Sequence, residues 1–369
     1  MSIDATKIAM TDPATDIFAN GATRGSANTP MPMSQNAAMQ PITLQELESA
    51  AEMLRPLIPP TPQYAWPKLR QRSGCEVWVK HENHTPTGAF KVRGGLVYLD
   101  RLRREQPDCA GVVTATRGNH GQSISYAAAR SGIGATIFVP KGNSPDQNSA
   151  MRAFGASVVE FGIDFDEAKH EAHRVAKQRA LHFVPSFHRN LVVGVATYAL
   201  EFLRAVRELH TVYVGVGMGS GICGLISVRD LLGLSTRIVG VSAAKAPSGA
   251  RSFAAGRVVH TTTAHTFADG MATREPVEEA VATMCKGAAR FVEVSEDEIA
   301  EAMRAYFDDT HQVSEGAGAA PLAALLRERS SLAGERVGVI LTGGNIERAR
   351  FLKVLSGETP AAYTESPPP

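Results

Sequence analysis

From residue 75 onward, short apolar runs alternate with longer amphipathic ones, and this alternation restricts the fold more than any other feature of the sequence. The strand-like runs are CEVWVKHE (75–82), GVVTAT (111–116), ATIFVP (135–140), SVVEFG (157–162), LHFVP (181–185), TVYVGV (211–216), RIVGVSA (237–243), RFVEV (290–294) and RVGVILTG (336–343). Helical periodicity covers 119–130, 164–179, 194–207, 295–310 and 317–329. Thr43 with Glu46, and Ser295 with Glu298, read as capping boxes, the first opening a helix to about residue 57. Short, continuously apolar strands are buried on both faces, so the pattern predicts an α/β fold with mainly parallel sheets. In such sheets ligands bind beyond the carboxyl ends of the strands.

The chain has 369 residues, a length that suggests two domains. With 38 basic against 37 acidic residues its formal charge is +1, which calls for neither nucleic acid nor an anionic membrane as partner. Arg101, Arg103 and Arg104 read as one solvated helix face. The four cysteines, at 75, 109, 223 and 285, form no CxxC pair and no disulfide framework, which fits a reducing cytoplasm. Asp4, Lys7 and Asp12 interrupt the start of the chain, so no secretory signal is expected. The uncharged run 211–228 is nearly long enough to span a bilayer, but its five glycines make it a strand followed by a loop. Residues 1–41 and 357–369 lack periodicity and read as disordered ends.

Four turns carry the chemistry. Gly215-Val-Gly217-Met218-Gly219-Ser220-Gly221-Ile-Cys-Gly224 follows a strand and opens a helix. Such a loop cradles the phosphate of some cofactor, binds a nicotinamide dinucleotide through its GxGxxG pattern, or is tight packing with no ligand. The dinucleotide alternative lacks its acidic residue, since the next strand ends in Ser242, Ala243, Ala244 and Lys245. Pro86-Thr-Gly-Ala-Phe-Lys91 places a lysine in the first turn of a helix, against the macrodipole, where lowering its pKa suits carbonyl chemistry. Thr116-Arg-Gly-Asn-His120-Gly offers a hydroxyl, an amide and free N–H groups to an anion, or is a plain capping turn. Leu341-Thr342-Gly-Gly-Asn345 aims a hydroxyl from the last strand, or likewise only caps it. His81-Glu82-Asn83-His84 lacks the HExxH spacing, and no metal site is expected.

In this order and at these separations the four motifs resemble the fold-type II pyridoxal-phosphate enzymes, most closely the serine/threonine dehydratases (threonine ammonia-lyases), over residues 42–355. The resemblance implies a tryptophan synthase β-like fold: two open α/β domains with mainly parallel sheets. The large, cofactor-binding domain is 42–105 with 188–356, and the small, substrate-binding domain is 106–187. It implies that Lys91 is the Schiff-base lysine and catalytic base, with Phe90 beside the cofactor ring. Asn119 then meets the ring's phenolic oxygen, and Gly217, Met218, Gly219, Ser220 and Gly221 hold the phosphate. Gly270, in Ala268-Asp269-Gly270, edges the site, Glu315 of EGAGA faces the cofactor, and Thr342 contacts the pyridine nitrogen. Substrate falls to Thr116, Arg117, Gly118, His120 and Ser186.

The implied cofactor is pyridoxal 5′-phosphate. The implied reaction is dehydration and deamination of a 3-hydroxy amino acid, of the L-threonine or L-serine type, to a 2-oxo acid and ammonia. Alternatives are a dehydratase specific for 3-hydroxyaspartate or phenylserine, β-replacement chemistry, a cofactor binder without catalysis and, in another class, an NAD(P)-dependent oxidoreductase on the 219–224 loop. The implied assembly is a cytoplasmic homo-oligomer, dimer or tetramer.

Four departures qualify the resemblance. Arg117 stands where relatives often have serine; arginine is a poor base, which argues against racemisation and suggests a reader of a second carboxylate, or else an arginine facing solvent or phosphate. Met218 and Ser220 replace glycines of the phosphate loop. Ser242 and Ser248 occupy places where many relatives carry acidic cation ligands, so no divalent-cation dependence is expected. Ser186 replaces a more polar side chain. The resemblance stops near the last helix, so neither a C-terminal effector domain nor feedback by isoleucine is expected.

Overall fold

The computed structural model describes residues 38–363. The ten strands are β1 (Gln63–Ala65), β2 (Glu76–His81), β3 (Gly111–Ala115), β4 (Gly134–Val139), β5 (Ser157–Glu160), β6 (His182–Phe183), β7 (Thr211–Gly215), β8 (Arg237–Ala243), β9 (Arg290–Val294) and β10 (Arg336–Leu341). Six form one sheet in the order β1-β2-β10-β7-β8-β9, and four form another in the order β5-β4-β3-β6. Every pairing is parallel except that of β1 with β2. The expected α/β class with mainly parallel sheets is therefore the observed one. All four strands of the smaller sheet fall within residues 111–183.

The strands are apolar on both faces because both are covered. Along β7, Val212 and Val214 join the core beneath the helices Lys91–Glu105, Arg189–Ala205 and Ser220–Leu231, while Tyr213 joins the opposite core with Val239 and Val339. That second core is closed by the helices Glu296–Thr310 and Gly316–Glu328. Val113, Ala115 and Phe138 of the smaller sheet pack against the helix Phe165–Gln178. Side chains alternating between two dry faces are what a continuous apolar run supplies.

Local signals held to different degrees. The helix Glu296–Thr310 begins with the full capping box of Ser295 and Glu298. At Leu44–Leu54 only half forms: Thr43 Oγ1 accepts from Glu46 N at 3.2 Å, but the Glu46 carboxylate goes to Arg189 and Arg101. Two guanidiniums outbid one backbone N–H, and they hold the Glu46 carboxyl down at about 2. Residues 211–228 divide into β7 and the start of the helix Ser220–Leu231, and no helix among the described residues is long and apolar enough to cross a membrane.

The disordered ends expected from composition lie mostly outside the described residues. Within them, Gln40 and Pro41 carbonyls accept from Arg189. Residues 357–363, which composition placed in a tail, are tied down by Arg350, whose Nη1 donates to the Ala361 carbonyl at 2.7 Å.

Candidate active site

The loops flagged in the sequence all leave the carboxyl ends of strands: the Lys91 segment after β2, the 116–120 turn after β3, Ser186 after β6, the glycine loop after β7 and Thr342 after β10. They meet at two adjoining cavities. The larger, about 220 Å³, is lined by Thr116, Arg117, Gly118, His120 and Ser186 among others. The smaller, about 30 Å³, is lined by Phe90, Gly217, Gly219, Ser220, Gly221 and Thr342. Lys91, Asn119, Met218, Gly270, Glu315 and Ala317 line both. The structure thus gathers every sequence-flagged site residue into one place.

Lys91 is the first residue of its helix, and no side chain caps that N-terminus. Ser123 Oγ donates to the Lys91 carbonyl at 2.6 Å, fixing the helix start on the helix Asn119–Arg130. The Lys91 ammonium lies 5.6 Å from the centroid of the Phe90 ring. Burial lowers its pKa below the ordinary lysine value, with Glu315 and Asp269 pulling the other way. A lysine biased toward the free amine is a nucleophile and a base.

The smaller cavity is built for an anion. Gly219 has φ +97°, a conformation side chains rarely adopt, and a Cβ on Gly217 would stand 2.2 Å from the Gly270 carbonyl oxygen. Bare backbone therefore faces the space, at the N-terminus of the helix Ser220–Leu231, where orphan N–H groups and the dipole favour negative charge. The hydroxyls of Ser220 and Thr342, both nearly buried, have no hydrogen-bond partner among the described residues.

Two acids and a neutral imidazole are among the groups that line the larger cavity. Glu315, the N-cap of the helix Gly316–Glu328, has its pKa raised to about 7, first by burial and then by Asp269, against the Asn119 hydrogen bond and Lys91. Asp269 is likewise raised by burial, with Arg117 and Arg350 opposing. Burial and the Lys91 charge push His120 down to about 3. His120 bonds the Val184 backbone, and its buried Nε2 has no partner among the described residues. With Nδ1 donating to that carbonyl, the ring turns a lone pair toward the cavity, which suits a hydroxyl donor better than a carboxylate. Thr116 Oγ1 accepts from Gly118 N at 3.1 Å. Arg117 has no hydrogen-bond or ion-pair partner among the described residues.

His81-Glu82-Asn83-His84 belongs elsewhere. Its Glu82 is buried against Arg93, and among the described residues no group of acids, histidines and cysteines could hold a metal ion. Ser248 Oγ donates to the Thr273 carbonyl, and Ser242 Oγ has no hydrogen-bond partner among the described residues.

Among the contributors to the larger cavity that sequence reading missed are Gln147, Asn345, Arg350 and Tyr363. Asn345 sat inside a flagged motif and was passed over for Thr342. Its Nδ2 donates to the Thr87 carbonyl and to Asn119 Oδ1, both at 2.8 Å.

Residues 54–343 match the family model described as pyridoxal-phosphate dependent enzyme. The L-threonine ammonia-lyase of Geobacter sulfurreducens is 35% identical over 311 residues, which cover 84% of this chain and 76% of that protein. The L-threo-3-hydroxyaspartate ammonia-lyase of a Pseudomonas species is 31% identical over 320 residues, 86% of this chain and 100% of that protein. Among solved structures, the processed form of threonine deaminase isoform 2 from Solanum lycopersicum superposes with a TM-score of 0.78 at 27% identity, covering 89% of this chain and 98% of that one.

Proposed function

Because the chain belongs to the family of pyridoxal-phosphate-dependent enzymes, we propose that its smaller cavity seats the cofactor and its larger cavity a 3-hydroxy amino acid, which it dehydrates and deaminates to a 2-oxo acid and ammonia. It is an enzyme of the ammonia-lyase type, as both relatives are named. One observation carries the reading: Lys91 stands where an anion-binding cavity and a cavity lined by polar side chains join. The nicotinamide reading of the glycine loop lapses with the family.

The residues fit the cofactor. The backbone of the loop 217–219 and the Ser220 hydroxyl at a helix N-terminus suit its phosphate, the Thr342 hydroxyl suits its ring nitrogen, and Phe90 flanks the space between. When bound, pyridoxal phosphate supplies the electron sink that makes the substrate α-proton removable. Lys91 would hold it through Nζ and, once the substrate amine has taken that place, would accept the proton as the free amine. Thr116 and the backbone N–H groups of the 116–120 turn orient the substrate carboxylate, and the His120 lone pair accepts from the 3-hydroxyl. Asn119, fixed by its bond to Glu315, would hold the cofactor's phenolic oxygen, and Glu315, its pKa raised to about 7 by burial, would face the cofactor beside it. Residues 106–187 act as the small domain that closes on 42–105 with 188–356, excluding water. Support for a cytoplasmic homo-oligomer, dimer or tetramer, comes from the resemblance and the four free cysteines.

The test is 2-oxo acid release from a panel of 3-hydroxy amino acids, L-serine, L-threonine and the 3-hydroxyaspartates included, with Lys91→Ala as the blank. Activity lost in that variant supports the reading; no product from any member overturns it. A second reading rests on Arg117, a cation lining the larger cavity with no hydrogen-bond or ion-pair partner among the described residues. It fits a second carboxylate, as in 3-hydroxyaspartate, and fails if Arg117→Ser leaves the substrate ranking unchanged.

A further inference from the structure

Beyond the helix Arg348–Leu355 the chain turns at Gly357 and runs back toward the larger cavity without regular secondary structure. Thr359 Oγ1 donates to Asp297 Oδ1 at 2.5 Å, Pro360 is buried, and Arg350 Nη1 donates to the Ala361 carbonyl at 2.7 Å. The Arg350 guanidinium lies 3.6 Å from the centroid of the Tyr363 ring, and both side chains line the cavity. Arg350 is in turn oriented by Glu347, 3.3 Å away. The Tyr363 hydroxyl has no hydrogen-bond partner among the described residues. Burial raises its pKa, and the charges that act on it are Arg350, Glu347, Asp269 and Glu315. Arg350 and residues 359–363 lie beyond residue 343, where the match to the family model ends.

We propose that residues 359–363 form a strap across the larger cavity, and that Tyr363, held by Arg350, is a specificity-determining residue that limits the size of substrate side chain admitted. The inference rests on reading that cavity as a 3-hydroxy amino acid site. A tyrosine anchored only in the core would be surrounded by apolar groups. Tyr363 instead places one ring face on a guanidinium and lines the space that also holds Lys91 and the 116–120 turn. A ring at that position removes volume from the pocket, so smaller side chains pass and larger ones collide. The guanidinium contact, the hydrogen bonds at Ala361 and Thr359 and the buried Pro360 hold the strap, few enough for it to open when product leaves.

The experiment uses the cofactor-loaded enzyme, wild type beside Tyr363→Ala, Tyr363→Phe and a chain stopped after residue 358. Two quantities are read: the ratio of kcat/KM for 3-phenylserine to that for serine, and the rate at which hydroxylamine, a small carbonyl reagent, bleaches the bound cofactor. Tyr363→Ala is expected to raise the ratio by about tenfold or more, chiefly through KM, since that is what a pocket wall contributes to size discrimination. Tyr363→Phe, which keeps the ring, is expected to leave it near the wild-type value. Bleaching is expected to be faster in Tyr363→Ala and in the shortened chain. An unchanged ratio, or an unchanged bleaching rate, overturns the proposal. If no 3-hydroxy amino acid reacts with any of the proteins, the reading of the cavity fails. The bleaching rate then decides the strap by itself, faster supporting it and unchanged overturning it.

Discussion

Asn119 Nδ2 donates to both carboxylate oxygens of Glu315, at 2.8 and 3.0 Å, across 196 residues of sequence. The same amide's oxygen accepts from Asn345, which also bonds the Thr87 carbonyl. One line of hydrogen bonds therefore joins the turn before Lys91, the turn after β3, the cap of the helix Gly316–Glu328 and the turn after β10. These four elements border the cavities, so their relative positions are set before any ligand arrives. Such preorganisation is what lets a site act without rearranging at the moment of reaction.

That arrangement holds Glu315 at about 7 against an ordinary 4.5, with burial as the main cause. A carboxyl raised in the folded state is favoured there in its protonated form. Its contribution to stability is whole below pH 4.5 and is lost as the pH rises through about 7. The penalty amounts to about 3 kcal/mol at most. Glu315→Gln removes the titrating group. In thermal melts of the apoenzyme the variant is expected to match wild type at pH 4.5 and below, to gain on it up to about pH 7 and to keep that lead unchanged at pH 8. Parallel curves across that range would contradict the shift.

The four motif-bearing turns were legible because each is local: a glycine, hydroxyl or amide within a few residues of a strand end, with the strand itself marked by its apolar run. What escaped was decided by partners distant in sequence. Glu46 left its expected box for Arg189, a residue no local rule could place beside it. The expected strand 181–185 shrank to His182–Phe183, because β6 is an edge strand paired over two residues with β3. Composition made residues 357–363 a tail, and only folding shows that Arg350 lies beneath Ala361 and Tyr363. The Asn345 bridge needs three separate loops in place before it exists.

Gly217 tests the anion cavity. Its absent side chain leaves room for the Gly270 carbonyl, 2.2 Å from where a Cβ would sit. That neighbour is backbone, so Gly217→Ala must displace either the loop or the 268–271 turn. A displacement of several tenths of an ångström at a charged ligand is expected to weaken cofactor binding about tenfold or more. Titration of apoenzyme with pyridoxal phosphate, followed by absorbance, measures it. Unaltered affinity would mean that the loop does not hold the phosphate.

His120 tests the polar wall of the larger cavity. With its pKa near 3 the ring is neutral at every working pH, and its unpartnered Nε2 can only accept. His120→Leu is expected to lower kcat/KM about tenfold, the worth of one hydrogen bond to substrate. Above pH 5 the kcat/KM profile of the variant should run parallel to that of wild type. A limb between pH 6 and 7 that vanishes in the variant would show that His120 titrates and would reverse its assignment as a lone-pair acceptor.

Behind Lys91 lies an ion cluster that no catalytic step requires. Arg93 Nε donates to Glu82 Oε2 at 2.8 Å, and Nη2 to Oε1 at 3.0 Å, with both side chains essentially free of solvent. Arg93 Nη1 also reaches Glu201 at 2.7 Å, and Glu201 pairs with the buried Lys80 at 2.6 Å. Glu82→Ala takes away the buried counter-ion that meets Arg93 Nε and Nη2, leaving only Glu201, and is expected to cost about 3–5 kcal/mol in urea unfolding. Replacing both partners, as Glu82→Leu with Arg93→Met, removes that guanidinium as well and should recover most of that loss. The double variant separates two roles for the cluster. If it regains stability and also keeps wild-type cofactor affinity, the ions serve the fold alone. If stability returns while affinity does not, the fork on Arg93 is what sets the angle of the helix that begins at Lys91.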